Sequence, residues 1–290
     1  MLIQVFISSL VIGSIYGLIA LGYSLIYKAS GVMSFAQGDM LTLGAFLGYT
    51  FYGLLGIPFF MSLILVMVVM FSFGFLLERG VINHIIKKNI LQIYTILATI
   101  AVSYLIQNGS LMIWGGDTKY FPSLFQIKQI PMFSIKIQTE AFLCISVSLI
   151  GMFILHLFIK RTKLGTAMRA VALDRTAAKA CGINVPMTIG ITWGLSSSMA
   201  ALAGILIGPV YGVYTTLGAT IGRKGFASAV IGGYGNMVGA VVGGILLGIM
   251  ETFTAAYVSS AYKDLIAYLA LLLFLFIKPT GIFNEKALVD

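Results

Sequence analysis

Charged residues are scarce in this sequence, which excludes a soluble globular domain. Only 9% of the 290 residues are charged, whereas 59% are hydrophobic and the mean hydropathy is +1.03. A soluble core cannot absorb so much apolar surface. The composition therefore predicts an all-α polytopic membrane protein, with residues 1–290 forming one transmembrane domain.

Acidic residues are especially few, with nine Asp and Glu against 18 Lys and Arg, a net charge of +9. In a membrane protein such an excess of basic residues indicates which loops face the cytoplasm and favours contact with anionic lipid. We therefore expect membrane lipid, and no nucleic acid, as a partner.

Residues that carry catalytic or metal chemistry are also few. The two histidines, His84 and His156, are far apart in the chain, and no Gly-x-x-x-x-Gly-Lys-Ser/Thr phosphate loop occurs. Cys144 and Cys181 make no disulfide framework and are interpreted as packing residues. The sequence predicts no catalytic residue, no metal and no cofactor. The chain is not expected to be an enzyme, so any ATP hydrolysis has to come from a partner.

Long apolar runs make up most of the chain. Two basic loops, 78–89 and 160–186, are placed in the cytoplasm by the positive-inside rule, whereas the side of the N-terminus stays open. Eight runs approach the length that crosses roughly 30 Å of hydrocarbon: 3–27, 38–57, 59–77, 93–114, 139–159, 187–211, 236–257 and 261–277.

The 160–186 loop is strongly hydrophilic and is predicted to be folded. Leu164 to Leu173 is rich in helix-forming residues. Asp174 is a good N-cap for a second short helix, which Gly182 can end in the left-handed C′ conformation. A solvated basic loop is the plainer interpretation of a charge run. Two capped helices favour a docking surface instead, because solubility alone does not need them.

An internal repeat is indicated when the chain is shifted by 191 positions. This shift matches Phe35 with Phe226 and aligns several glycines on both sides. The repeat halves are about 1–90 and 187–286. Composition explains part of the match, since the chain has 33 glycines.

Each half contains a short segment, 31–38 or 218–235, in which glycines alternate with polar residues, and a broken helix is predicted there. Matching interruptions in two halves point to a transport pathway, because broken helices turn free backbone groups towards a cavity. The other spaced glycines are interpreted as helix-packing positions: Gly13, Gly17, Gly204, Gly208, Gly212, Gly239, Gly243, Gly244 and Gly248.

Two acids lie in or beside these membrane segments. A carboxylate at membrane depth is costly, so a functional or paired role is the default for Glu251. For Asp39, an inward-facing role and a place at the membrane boundary suit the sequence equally.

Four segments carry a resemblance that covers nearly the whole chain: 31–39, 169–184, 226–248 and the closing stretch 262–282. In combination they resemble the branched-chain amino acid ABC permeases of the LivH type. Within the second segment, Thr176 to Gly182 resembles the Glu-Ala-Ala-x-x-x-Gly loop with which importer permeases dock their ATPases. Thr176 stands where that loop has Glu.

The resemblance implies a bacterial inner-membrane permease. Its implied partners are a second homologous permease, two cytoplasmic ABC ATPases and an extracytoplasmic binding protein for Leu, Ile or Val. The residues expected to couple to the ATPase are Arg169, Asp174, Arg175, Thr176, Ala177, Ala178 and Gly182. Those expected along the translocation path are Ser34, Phe35, Gln37, Asp39, Phe226, Ser228, Asn236 and Glu251.

Other functions suit parts of the pattern. A urea or short-amide ABC permease carries similar motifs, and the sequence does not separate it from the favoured class. An ion-coupled secondary amino acid transporter would use Asp39 or Glu251 as its coupling acid. A passive channel for a small polar solute is a further alternative. The capped helices of the 160–186 loop argue against the ion-coupled carrier, which needs no ATPase dock.

Overall fold

The computed structural model describes residues 2–87, 92–122, 124, 129–132 and 135–283. Most of this backbone is helical, since a helix satisfies its own hydrogen bonds where no water is available. The helices are α1 (Leu2–Ser30), α2 (Gln37–Gly48), α3 (Phe59–Leu77), α4 (Asn83–Lys87), α5 (Gln92–Trp114), α6 (Thr139–Arg161), α7 (Lys163–Leu173), α8 (Arg175–Ala180), α9 (Val185–Tyr211), α10 (Leu217–Gly232), α11 (Met237–Tyr257) and α12 (Lys263–Ile277).

Three shorter features complete the description. α2 continues as a π-helix over Tyr49–Leu54, and α3 continues as a π-helix over Glu78–Ile82 that leads into α4. A turn of 3-10 helix, Ser260–Tyr262, precedes α12. The two strands β1 (Gln129–Met132) and β2 (Ile135–Gln138) pair as an antiparallel hairpin before α6.

Seven helical segments among the described residues are long and apolar enough to cross a membrane, which confirms the predicted polytopic class. The eighth predicted span, 38–57, is not one of them. Its α-helical part, α2, has only 12 residues because the chain is broken before Gln37.

Helices α1 and α9 form the centre of the bundle. In their most apolar stretches 72% and 89% of the residues are buried, against 11% in the segment that contains α12. α1 packs against α6, α9, α10 and α11, while α9 also packs against α2 and α3. The peripheral helices therefore present apolar side chains outwards, as lipid contact requires.

The two predicted cytoplasmic loops lie at the same end of the bundle. Nη2 of Arg79 is 3.4 Å from Sδ of Met187, where α9 starts. Nη2 of Arg175 is 3.5 Å from the carbonyl oxygen of Ala29, where α1 ends. The start of α1 is therefore at the opposite end. Residues 88–89 of the first basic loop lie outside the described residues. The same holds for residues 284–290, which include the end of the second repeat half.

The first predicted helix interruption is confirmed. α1 ends at Ser30, Gly31 has a φ of +65°, and helical structure resumes at Gln37. A left-handed residue at this point turns the chain back towards the membrane, and glycine adopts it without steric cost.

The second predicted interruption, over 218–235, is wrong for most of its length, because residues 217–232 form the continuous helix α10. The breaks lie on either side of this helix, at 212–216 and 233–236. The glycines of α10 are tolerated within the helix because they permit close packing. A Cβ added at Gly218 or Gly222 would overlap the backbone of Gly38 in α2.

The predicted packing glycines are confirmed where α1 crosses α11. A Cβ added at Gly244 would overlap the backbone of Gly17, and one added at Gly248 would lie 2.5 Å from Cα of Gly13. Small residues let two helices approach this closely in lipid, where dispersion replaces the hydrophobic effect as the driving force. Gly212 is the exception, since its φ of +77° ends α9.

We predict that Gly244→Ala lowers the stability of the bundle by about 1–3 kcal/mol, as overpacking does, because the methyl group meets the backbone of Gly17. Gly109→Ala in α5 is the matched control, since nothing lies within 4 Å of its added Cβ. There the helix should gain up to roughly 1 kcal/mol. Thermal unfolding in detergent measures both variants, and equal stabilities would contradict the close contact.

Candidate translocation cavity and coupling loop

A cavity of about 490 Å³ lies between α1, α2, α5, α10 and α12. Small-molecule sites typically measure roughly 300–1,000 Å³ and combine apolar walls with a few polar groups. This cavity has both kinds of lining. Its walls are formed by Tyr23, Phe35, Gly38, Asp39, Ile100, Ser103, Tyr104, Gln107, Gly218, Ala219, Gly222, Arg223, Phe226, Tyr268 and Leu271.

The break before α2 places Asp39 in this wall. The backbone N–H of Phe35 donates to Oγ1 of Thr99 at 3.1 Å, which ties the irregular segment to α5. Nε2 of Gln107 donates to Oδ1 of Asp39 at 2.9 Å, and the Ser103 hydroxyl donates to Oδ2. Asp39 is only 2% exposed. The carboxylate therefore lies inside the protein, as the inward-facing alternative expects, and its depth in the membrane stays a prediction.

Helix α10 forms the opposite wall. Gly38 and Gly222 let α2 and α10 meet at their backbones. The residues that follow these glycines, Asp39 and Arg223, border the cavity from the two helices. The Phe226 ring stacks on Phe35 with centroids 6.2 Å apart and meets Tyr23 edge-on at 5.7 Å. These aromatic contacts hold the apolar part of the wall.

Of the predicted path residues, Phe35, Asp39 and Phe226 line the cavity, and the other five do not. Nε2 of Gln37 donates to the carbonyl of Ser196, and Ser34 is 1% exposed. The remaining three are Ser228, which donates to Lys224; Asn236, which caps α11 at Gly239; and Glu251, described below. Whether any of the eight contacts a substrate stays a prediction.

Sequence reasoning missed several lining residues. Ser103, Gln107 and Tyr268 lie on spans that read as ordinary apolar helices, and only their polar side chains at mid-span set them apart. Arg223, within the predicted segment 218–235, is also absent from the predicted path residues. A charged residue in a membrane segment was the available signal.

Glu251 belongs to a buried charge cluster beside the cavity. Nζ of Lys224 lies 2.6 Å from Oε1 of Glu251 and 2.6 Å from Oδ1 of Asp264. The Tyr16 hydroxyl donates to Oε2 of Glu251 at 2.7 Å. The side chains of Lys224 and Glu251 are 4% and 5% exposed, whereas that of Asp264 is 52% exposed. The cluster gives Glu251 a paired role and ties α1, α10, α11 and α12 together.

The 160–186 loop is folded as predicted. Oδ1 of Asp174 accepts from the N–H groups of Thr176 and Ala177 at 2.7 and 3.0 Å, which confirms the N-cap. Gly182 has a φ of +81°, and its N–H donates to the carbonyl of Lys179 while that of the next residue donates to Ala178. This pair of bonds is a Schellman motif.

The predicted coupling residues form an exposed surface around this second helix. Arg169, Asp174, Arg175, Thr176, Ala177 and Gly182 are exposed, whereas Ala178 is buried at 4% and anchors α8. Cys144 is buried as predicted. The packing interpretation of Cys181 is wrong, because the helix end that Gly182 forms leaves this thiol exposed.

Several spans, a broken helix and a polar cavity at that break are together typical of membrane transport proteins. Comparison with known proteins narrows this class. A family model described as "Branched-chain amino acid transport system / permease component" matches residues 5–275. The chain therefore belongs to this permease family and is a multi-pass protein of the bacterial inner membrane.

Individual relatives agree with the family. The chain is 32% identical to the high-affinity branched-chain amino acid transport system permease protein LivH of Escherichia coli K12, over 98% of this chain and 96% of that protein. It is 33% identical to the corresponding permease protein BraD of Pseudomonas aeruginosa over the same shares. A chain in the solved structure of PsaBC from Streptococcus pneumoniae in complex with Fab shares the fold, with a TM-score of 0.51 at 16% identity, covering 94% of this chain and 91% of that chain.

We predict that Glu251→Leu destabilises the protein by about 3 kcal/mol or more, because it removes one partner of a buried cation. Glu251→Gln should cost less, since an amide oxygen still accepts from Lys224. The double variant Lys224→Met with Glu251→Leu should lose less than the sum of the two single losses. Thermal unfolding in detergent measures all of them. Additive losses would contradict the pairing.

Proposed function

We propose that this chain is the membrane-spanning permease subunit of a binding-protein-dependent ABC importer for branched-chain amino acids. The observation that carries the proposal is membership of the branched-chain amino acid permease family over residues 5–275. Relatives that match the chain almost end to end are named as permease proteins of high-affinity branched-chain amino acid transport systems.

The cavity between α1, α2, α5, α10 and α12 is proposed as part of the translocation path. Its lining contains the buried carboxylate of Asp39 and the exposed guanidinium of Arg223, and ionisable groups in a membrane domain usually have a functional or paired role. Its rim includes exposed side chains, with Phe35 45% and Tyr104 61% exposed. A polar cavity cannot open to lipid, which supports a second, homologous permease covering this face.

The α7–α8 surface is proposed as the dock for a cytoplasmic ABC ATPase, one for each of the two permeases. Because its helices are capped, this surface is suited to transmit a movement of the ATPase to the membrane domain. Nη2 of Arg175 lies 3.5 Å from the carbonyl of Ala29 in the last turn of α1. The break that follows leads directly to Phe35 and Asp39 in the cavity wall. ATP-driven movement of the dock would thus be transmitted to the cavity through the end of α1. An extracytoplasmic binding protein would supply the substrate from the opposite side of the membrane.

The chain is proposed as one transmembrane domain with two repeat halves. In each half a long central helix, α1 or α9, ends in a break and is followed by a shorter buried helix, α2 or α10. This order supports duplication. The gapless shift of 191 positions does not align the elements, since it places 31–36 on 222–227, inside α10.

We predict that leucine uptake into proteoliposomes requires ATP, the two ATPases and the binding protein, and does not require an ion gradient. The purified complex is reconstituted with these partners, and uptake is measured with and without a proton or sodium gradient. An ATPase variant without hydrolysis is the control and should abolish uptake. Gradient-driven uptake by this chain alone would overturn the importer assignment.

Gly182→Pro is predicted to uncouple the permease from its ATPase while leaving it in the membrane. Proline cannot adopt the φ of +81° found here and lacks the N–H that bonds Lys179. Gly182→Ala is the matched control: nothing lies within 4 Å of its Cβ, so only the backbone cost of about 1 kcal/mol remains. Pull-down of the ATPases and their turnover are measured, and an undiminished result for the proline variant contradicts docking at this helix end.

A further inference from the structure

Two charged side chains of opposite sign, Asp39 and Arg223, border the cavity from facing helices. Among the described residues neither forms an ion pair. The nearby carboxylate of Asp264 is engaged by Lys224 at 2.6 Å. Asp39 is buried, and a buried charge in a membrane domain is stabilised by a partner. Arg223 is exposed, lines the same cavity and interacts electrostatically with Asp264. The buried carboxylate without a cation therefore indicates a ligand with a positive group, and the guanidinium in the same lining suits a negative group on that ligand.

Each of the two groups keeps free hydrogen-bonding capacity. Asp39 accepts one bond on each oxygen, from Gln107 and Ser103, and a carboxylate has about four lone-pair sites. Arg223 donates through Nε to the carbonyl of Ala219 at 2.9 Å, and in the described chain its two terminal nitrogens have no acceptor. The first group suits an ammonium ion, and the second suits a carboxylate in a bidentate contact.

Part of the cavity wall that these charges share is apolar. Phe35 and Phe226 form a stacked pair on one side, and Ile100 and Leu271 lie in the same lining. A branched aliphatic side chain would bury its surface here at a gain of roughly 25 cal/mol per Å².

We propose that this cavity is a binding site for zwitterionic amino acids, in which Arg223 holds the α-carboxylate, Asp39 holds the α-ammonium group and the aromatic pair contacts an aliphatic side chain. The inference rests on the proposed function and assigns its substrate contacts. It also separates an amino acid from urea, because a neutral amide leaves both charges uncompensated. The permease then contributes to substrate selectivity together with the binding protein.

The test is ligand protection of a thiol placed in the cavity by Ala219→Cys. The permease, assembled with its partner subunits in nanodiscs without binding protein, is labelled with a water-soluble maleimide. At about ten times its dissociation constant, L-leucine should slow labelling about tenfold, because only the empty site reacts. The native Cys181 lies on the proposed ATPase dock and is replaced by Ser. A thiol placed by Gly116→Cys, at an exposed position outside the cavity lining, is the control and should label at an unchanged rate.

Analogues and variants identify the contacts. Isoamylamine, which lacks the carboxylate, and 4-methylpentanoate, which lacks the ammonium group, should each protect at least about tenfold less well than leucine. Arg223→Gln and Asp39→Asn should weaken protection by leucine to a similar extent, with Arg223→Lys retaining part of it. Lys119→Gln, which removes a positive charge outside the cavity lining, should change nothing.

Equilibrium binding of radiolabelled leucine to the same nanodiscs is the second readout, and it does not depend on the introduced thiol. Each preparation is also assayed for ATP-driven leucine uptake. Intact uptake with no protection and no binding, or equal protection by leucine and isoamylamine, overturns the zwitterion site while the importer function stands. Loss of uptake in the unmodified complex is instead a failure of the proposed function.

Discussion

Close backbone contact at glycines is the constraint on which the rest of this structure depends. Where α1 crosses α11, a Cβ added at Gly244 would overlap the backbone of Gly17, so this position has no room for a side chain. In lipid there is little hydrophobic gain in bringing helices together, so van der Waals contact over a narrow crossing has to hold them. The same device joins α2 to α10 at Gly38 and Gly222. The packing that stabilises the bundle therefore also sets the spacing of the cavity walls.

Charge inside the bundle is handled in two different ways. Lys224 forms ion pairs with Glu251 and Asp264, and these offset the free-energy cost of removing its charge from water. Asp39 is buried and accepts hydrogen bonds from two neutral side chains, whereas Arg223 is exposed and donates to a backbone carbonyl. Because Lys224 and Arg223 are adjacent in α10, one helix places a structural charge and a cavity charge on different faces. The paired cluster thus fixes the orientation in which α10 presents Arg223.

The end of α1 connects the two candidate sites. Arg175 at the start of the capped helix α8 reaches Ala29, and Gly31 then reverses the chain towards Phe35 and Asp39. Under the proposed function, a small displacement of the 160–186 loop would reorient the cavity wall through this helix end. Coupling of this kind requires that the two states make different contacts at both sites.

Local features could be read from the sequence because their physics is local. The caps at Asp174 and Gly182 depend on hydrogen bonds that span a few residues, and the break at Gly31 needs only one left-handed position. The polytopic class followed from composition in the same way. Glycine itself is ambiguous, since it permits both a break and close packing, and only the neighbours of α10 decide between them. The pairing of Asp39 with Ser103 joins residues 64 positions apart, and that of Lys224 with Glu251 joins residues 27 apart. Such contacts are set by the rotation and crossing of whole helices, which no short stretch of sequence specifies.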